Sequence, residues 1–232
     1  MTATEDLFTP IHKGLRSMIY SLSGRLQTND FADLASTTAL VTDLENDFAV
    51  ARSAGCTLCV LSQHATDEET GIFPAAVTAG GRLIVELIED HHGLTRRELA
   101  LASSAHELLA MESPDRRVEA GIRLNQAANE LFGAYIVHMN REESELVPVM
   151  REHFSNEQMA AMSGAIIGKM LPERMFAILG WMLPSLNAAE LTEFLGKLKR
   201  GVPPQVFKAV TDLCSARVDP TRWESVKLRV GL

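Results

Sequence analysis

Cysteine is scarce in this 232-residue chain: Cys56, Cys59 and Cys214 make an odd count that excludes a disulfide framework and suits a reducing compartment. Cys56 and Cys59 form a CxxC, but without a second pair or a βαβ context neither a zinc ribbon nor a thioredoxin motif follows, and buried thiols are expected. Aromatics make up only 6% and β-branched runs are short, which argues against a sheet-rich fold. Cations are outnumbered 22 to 30, and the net charge of −8 excludes a broad basic surface for nucleic acid or anionic lipid. Long apolar runs are missing too. The uncharged stretch from Met175 to Ala189 contains Pro184 and is shorter than the roughly 20 residues of a spanning helix. The first ten residues carry acidic side chains and no apolar segment, so a soluble, cytoplasmic protein is expected.

What is plentiful is Ala, Leu and Met, a mixture that favours an all-α fold. Leu15, Ile19, Leu22 and Leu26 place a first helix over about 10–27. A longer helical stretch is expected from Phe31 towards Pro74, with Phe48 on its apolar face and Gly55 as a bend. The turn signal Thr78-Ala79-Gly80-Gly81 precedes a third helix marked by Ile84, Leu87, Ile88, Leu94 and Leu99, reaching about Met111. Ser113-Pro114 opens a fourth helix running to about His153, with Leu124, Leu131, Leu146 and Val149 inward. These read as an antiparallel, up-down four-helix bundle over residues 1–154. Residues 155–232 form a short-helix extension or subdomain, its helices opened by Ser155 with Gln158, Asn187 with Glu190, Pro203-Pro204 and Asp219-Pro220.

The strongest signal is internal duplication. His64 to Pro74 aligns without gaps against His138 to Pro148, both reading HxxxEExxxxP, and His12-Lys13-Gly14-Leu15 echoes His91-His92-Gly93-Leu94 as HxGL. Residues four apart on a helix face the same neighbour, so His64 with Glu68 and His138 with Glu142 each offer an imidazole and a carboxylate to one ion. His12, His91 and His138 fall on the apolar stripes of their helices, where unpartnered polar groups cost about 1–3 kcal/mol each. His91 is favoured over His92 because its stripe is better formed. Four imidazoles and two carboxylates suit iron, manganese or zinc better than calcium or copper(I). Glu69 and Glu143 point about 100° away from the ligand glutamates and are expected at the helix surface or behind the ligands. His106 and His153 read as surface histidines, and Tyr135 as either a hydrogen-bond donor near the site or core packing. Pro74 and Pro148 read as ends or kinks of helices just beyond the site.

The order His, HxxxE, His, HxxxE resembles the hemerythrin-like, or HHE cation-binding, domain family over about residues 10–154. The resemblance implies two non-haem iron ions, oxo- or hydroxo-bridged, with Glu68 and Glu142 spanning them, one ion held by His12 and His64, the other by His91 and His138. The oxygen-carrying branch has two histidines four residues apart on its third helix and a final HxxxxD; here Thr95 follows His91, so four histidines stand where the carrier has five. Ferritin-like bundles use Glu-x-x-His, the reverse order at a different spacing, and that pair is not arranged here as it is in them. The final segment, with Met170-Leu171-Pro172, Trp181, Leu191 to Leu198 and Pro203-Pro204, resembles the helical piece that follows hemerythrin repeats in plant iron-sensing ubiquitin ligases, but no RING-type cysteine array accompanies it. The expectation is a di-iron protein that senses or handles oxygen, peroxide, nitric oxide or iron. The alternatives are a di-iron oxidase, ferroxidase or catalase-like enzyme, and a metal-gated regulatory module whose protein partner is not specified by the sequence.

Overall fold

Most helices of the computed structural model begin at a proline or a capping residue, and the model describes residues 6–45 and 60–232. Every regular element among the described residues is helical. Phe48, Gly55, Cys56 and Cys59 lie outside them. Helix α1 (Thr9–Thr28) carries Pro10 in its first turn, where a missing N–H loses no intrahelical bond. Helix α2 (Leu34–Asp43) is capped by Asp33, whose carboxylate accepts from the N–H groups of Ala35 and Ser36. Helix α3 (Val60–Gly71) ends before Phe73, and Pro74 starts helix α4 (Phe73–Gly80) rather than ending one. The proline has no N–H to give to α3 but needs none in the first turn of α4. The turn expected over Thr78–Gly81 contracts to Gly81, whose φ of +48° favours glycine, and helix α5 (Arg82–Leu109) follows at once.

On α5 the buried stripe runs Ile84, Leu87, His91, Leu94, Glu98, Leu101, Ala105, Leu108, stepping by three and four. Leu99, expected inward, is 63% exposed, because the phase that buries His91 and Leu94 buries Glu98 instead. The expected fourth helix is divided. Helix α6 (Pro114–Arg141), capped by Ser113, passes into a π-helical segment (Glu142–Leu146) and then helix α7 (Val147–His153). Pro148 cannot donate into the helix and its ring clashes with an α-helical carbonyl four residues back. The widened segment accommodates this, with Val147 N–H reaching back to the Glu142 carbonyl. The burial pattern turns with it: Leu146, Val147 and Met150 are buried, and Val149 only half so.

Helices α5 and α6 pack along each other, and α1 lies on α6. The C-terminal helices are α8 (Asn156–Ile167), α9 (Pro172–Ser185), α10 (Ala188–Gly201), α11 (Pro204–Arg217) and α12 (Pro220–Val230). Reciprocal caps by Ser155 with Gln158 and by Asn187 with Glu190 open α8 and α10, and Asp219 caps α12. This segment does more than touch the preceding helices. Helix α9 packs extensively on α1, and α8 packs on α3. Gly14 permits the first contact: a Cβ there would lie 2.9 Å from the backbone N and Cα of Met182. The apolar residues gather into three clusters, around Leu15–Leu131, around Phe73–Leu146, and around Leu183–Val226. No helix among the described residues is long and apolar enough to cross a membrane.

Candidate metal centre

His12 on α1, His64 and Glu68 on α3, His91 on α5, His138 at the end of α6 and Glu142 at the start of the π-helical segment converge on one point between the first two apolar clusters. The i, i+4 pairs meet as their helical spacing requires: His64 Nε2 lies 3.1 Å from Glu68 Oε1, and His138 Nε2 lies 3.3 Å from Glu142 Oε1. The six side chains form two groups, His12, His64, Glu68, Glu142 and Glu68, His91, His138, Glu142, within each of which the potential ligand atoms lie within 4.8 Å of one another. Both glutamates belong to both groups. Glu68 turns Oε1 to His64 and Oε2 to His91, the latter 3.3 Å away. Glu142 turns Oε1 to His138 and Oε2 to His12, also at 3.3 Å. The imidazoles pair as well, with Nε2 atoms 3.1 Å apart for His12 and His64 and 2.8 Å apart for His91 and His138.

Water is largely kept out. Five of the six residues are buried, and His64, with 12% of its side chain accessible, is the most open. Among the described residues, no hydrogen bond of good geometry reaches any of the four carboxylate oxygens of Glu68 and Glu142. Unsatisfied buried polar atoms cost about 1–3 kcal/mol each, and charged ones more. The donors therefore fit a cation: borderline imidazole nitrogens and hard carboxylate oxygens, converging and short of positive charge. Buried His/Glu groups of this kind could hold a metal ion.

Protons are another source of that charge. Burial pulls the His12 imidazole down, but Glu143, Glu68 and Glu142 outweigh it and raise it from 6.5 to about 9. His91 is raised in the same way, burial being overcome by Glu68, Glu142 and Glu69. Burial pushes the Glu68 carboxyl up, and His64, His12 and His91 together hold it well below the usual carboxylate range.

The second glutamate of each HxxxEE repeat orients a histidine on another helix. His12 Nδ1 donates to Glu143 Oε1 at 3.0 Å, and His91 Nδ1 donates to Glu69 Oε1 at 2.9 Å. A proton on Nδ1 leaves the Nε2 lone pair facing the cluster, the tautomer a metal needs. Arg16 Nη1 holds Glu143 from behind at 2.8 Å. Burial raises the Glu143 carboxyl, but His12 and Arg16 bring it to about 2.

His91 rather than His92 enters the cluster; His92 is exposed on the far face of α5. His106 and His153 are on the surface. Glu98 had no reading in the sequence: Tyr135, read there as a hydrogen-bond donor near the site or as core packing, donates from Oη in a short hydrogen bond to Glu98, with Tyr135 three residues before His138 and Glu98 seven after His91. Burial, only partly opposed by Tyr135 and His91, raises Glu98 to about 7, and burial raises Tyr135 well above its usual 10. The signal for Glu98 was its place seven residues after His91. An unread pair, Arg174 on α9 with Asp67 on α3, joins the C-terminal helices to the HxxxEE segment through contacts of 3.2 and 2.5 Å; it had no signal, because nothing in the pattern links those positions.

Comparison with protein-family models, with the curated proteins and with the solved structures returns no match.

Proposed function

We propose that the chain is a hemerythrin-like protein in which α1, α3, α5 and α6 with its continuation serve as a four-helix bundle around two iron ions, and that it senses or handles oxygen, peroxide, nitric oxide or iron. One ion is assigned to His12 and His64, the other to His91 and His138, with Glu68 and Glu142 spanning both. The observation that carries this reading is the pair of buried carboxylates, each with one oxygen turned to each histidine pair and none of the four satisfied by a hydrogen bond. The HxGL and HxxxEE repeats support it independently.

When bound, a pair of iron ions with an open position supplies ligand binding and electron exchange with small oxidants. The chain's own residues do the rest. Glu143 and Glu69 hold His12 and His91 in the tautomer that presents Nε2. Leu15, Leu87, Leu94 and Leu131 line the buried faces of the same helices and keep bulk water out. His64, the least buried of the six, marks the side from which a small ligand approaches.

Iron analysis after anaerobic reconstitution tests the reading, together with optical spectra of the reduced and oxidised forms. The expected content is about two irons per chain. Less than about half an iron per chain, or no new absorption on oxidation, rejects it. A second reading, an oxidase, ferroxidase or catalase-like enzyme, is favoured by the cavity that opens at His64 and Glu68. Repeated turnover of peroxide or ferrous iron, abolished by Glu142→Ala, supports the enzyme; a single stoichiometric reaction supports the sensor.

A further inference from the structure

Where the C-terminal helices close over α1 and α3, they leave a cavity of about 340 Å³. That volume lies within the roughly 300–1,000 Å³ of small-molecule sites. Its walls are largely apolar, with Ile11, Ile72, Ile166, Phe176, Leu179 and Met182 drawn from α1, from the α3–α4 junction and from α8 and α9. Its polar end is formed chiefly by His64, Asp67, Glu68 and Arg174, so the cavity abuts the His12–His64 side of the metal centre.

Arg174 indicates what the cavity takes. The residue is only 5% exposed, and its two terminal nitrogens are engaged by the two oxygens of Asp67. Its Nε–H has no hydrogen-bond partner among the described residues. That nitrogen is closed off from the cavity, but a guanidinium has five N–H groups and Asp67 takes one from each terminal nitrogen, so Arg174 keeps further N–H groups at the cavity wall, and these call for an acceptor. The guanidinium charge is already matched by Asp67, and Glu68 adds a further negative group nearby, so a second carboxylate is disfavoured. The complement is a neutral oxygen on an apolar body.

We propose that this cavity binds a neutral, largely apolar organic molecule carrying one carbonyl or alcohol oxygen, and that it presents this molecule to the His64–Glu68 side of the metal centre. The placement beside a metal rests on the di-iron reading, whereas binding in the cavity does not. The substrate class is thus set by the C-terminal segment, which among the described residues supplies most of the wall and the guanidinium.

The test is calorimetric titration of the full chain, iron-loaded and metal-free, with 2-nonanone, 2-butanone and nonanoate. Iron per chain is measured separately on the same preparations. Saturable binding of 2-nonanone is expected, at least tenfold tighter than either nonanoate or the short ketone. Met175→Trp, which fills the cavity from α9, is expected to weaken it tenfold or more. Should that variant fail to fold, Val206→Trp at the more exposed rim serves in its place. Arg174→Lys keeps a positive charge beside Asp67 but loses the planar fork, and with it the two-point pairing and the N–H groups left over for a ligand, and is expected to weaken 2-nonanone about tenfold. A shift of the iron absorption on adding the ketone supports its placement beside the centre, and an unchanged spectrum at saturation overturns that placement. Iron retention without saturable ketone binding overturns the cavity proposal and leaves the metal centre standing. Ketone binding without iron retention supports the cavity and sinks the metal reading. Equal affinity for nonanoate, or indifference to the cavity-filling variant, overturns the assignment.

Discussion

Replacing Glu142 by leucine should make the metal-free protein more stable and the iron-treated protein less stable than the wild type. Both Glu142 oxygens are buried and without a hydrogen bond, so with about 1–2 kcal/mol for each, the lower part of the usual range, an apolar side chain of similar size recovers roughly 2–4 kcal/mol. Part of this is offset while His12, 3.3 Å away, carries a proton. His12 is raised from 6.5 to about 9, so its stabilising contribution is fully present below about 6.5 and is lost as pH rises through about 9. The wild-type metal-free protein should therefore lose on the order of 3 kcal/mol across that window, and the variant less. Thermal melts in EDTA at pH 9.5 should place Glu142→Leu on the order of 5–10 °C above the wild type. Ferrous iron at a hundredfold over its dissociation constant adds about 2.7 kcal/mol per site to the wild type. The variant gains nothing, since Glu142 belongs to both ligand groups. The two melting curves should thus exchange order. Glu98→Leu is the control, because it removes the acceptor of the Tyr135 hydrogen bond and should lower stability by about 1–3 kcal/mol with or without iron. If Glu142→Leu melts below the wild type in EDTA at pH 9.5, or if iron raises both proteins alike, Glu142 is a structural residue and not a latent ligand.

Glu69→Gln and Glu143→Gln should each weaken iron binding about 10–100-fold at one of the two positions, seen by equilibrium dialysis as the loss of one step; two unchanged steps would remove the orienting role. Gly14→Ala should cost about 1–3 kcal/mol in urea denaturation, because its Cβ meets the Met182 backbone at 2.9 Å. Gly93→Ala, whose surroundings hold only the arginine tips of Arg96 and Arg97 at 3.9 and 4.0 Å, should stabilise α5 by about 0.5–1 kcal/mol. Equal effects at the two glycines would show that α9 does not press on α1. The Cys214 thiol, pushed up to about 12 by burial, should not react with a thiol reagent in folded protein carrying Cys56→Ser and Cys59→Ser, and should react once the protein is unfolded.

The amino-acid order determined local geometry by itself. Proline and capping residues at 113–114, 155, 187 and 219 begin helices because they satisfy or do without orphan N–H groups, a matter of a few neighbouring atoms. The same holds for His64 with Glu68 and His138 with Glu142, since a spacing of four gives one face on any helix. The direction of His91 and the inward turn of Glu98 are also contained in the three-and-four step of α5, although a leucine beside a glutamate favours the opposite assignment by polarity alone.

What only the tertiary structure decided depends on pairs distant along the chain. Glu143 reaches His12 across 131 positions, and Arg174 reaches Asp67 across 107. No local periodicity encodes such distances, because they follow from how helices pack and which small residues let them approach. Gly14 looks the same as Gly93 in the sequence, yet only Gly14 admits another helix. That close approach sets α9 against α1, brings Arg174 over the HxxxEE segment, and leaves a cavity beside His64 that helical spacing alone does not disclose.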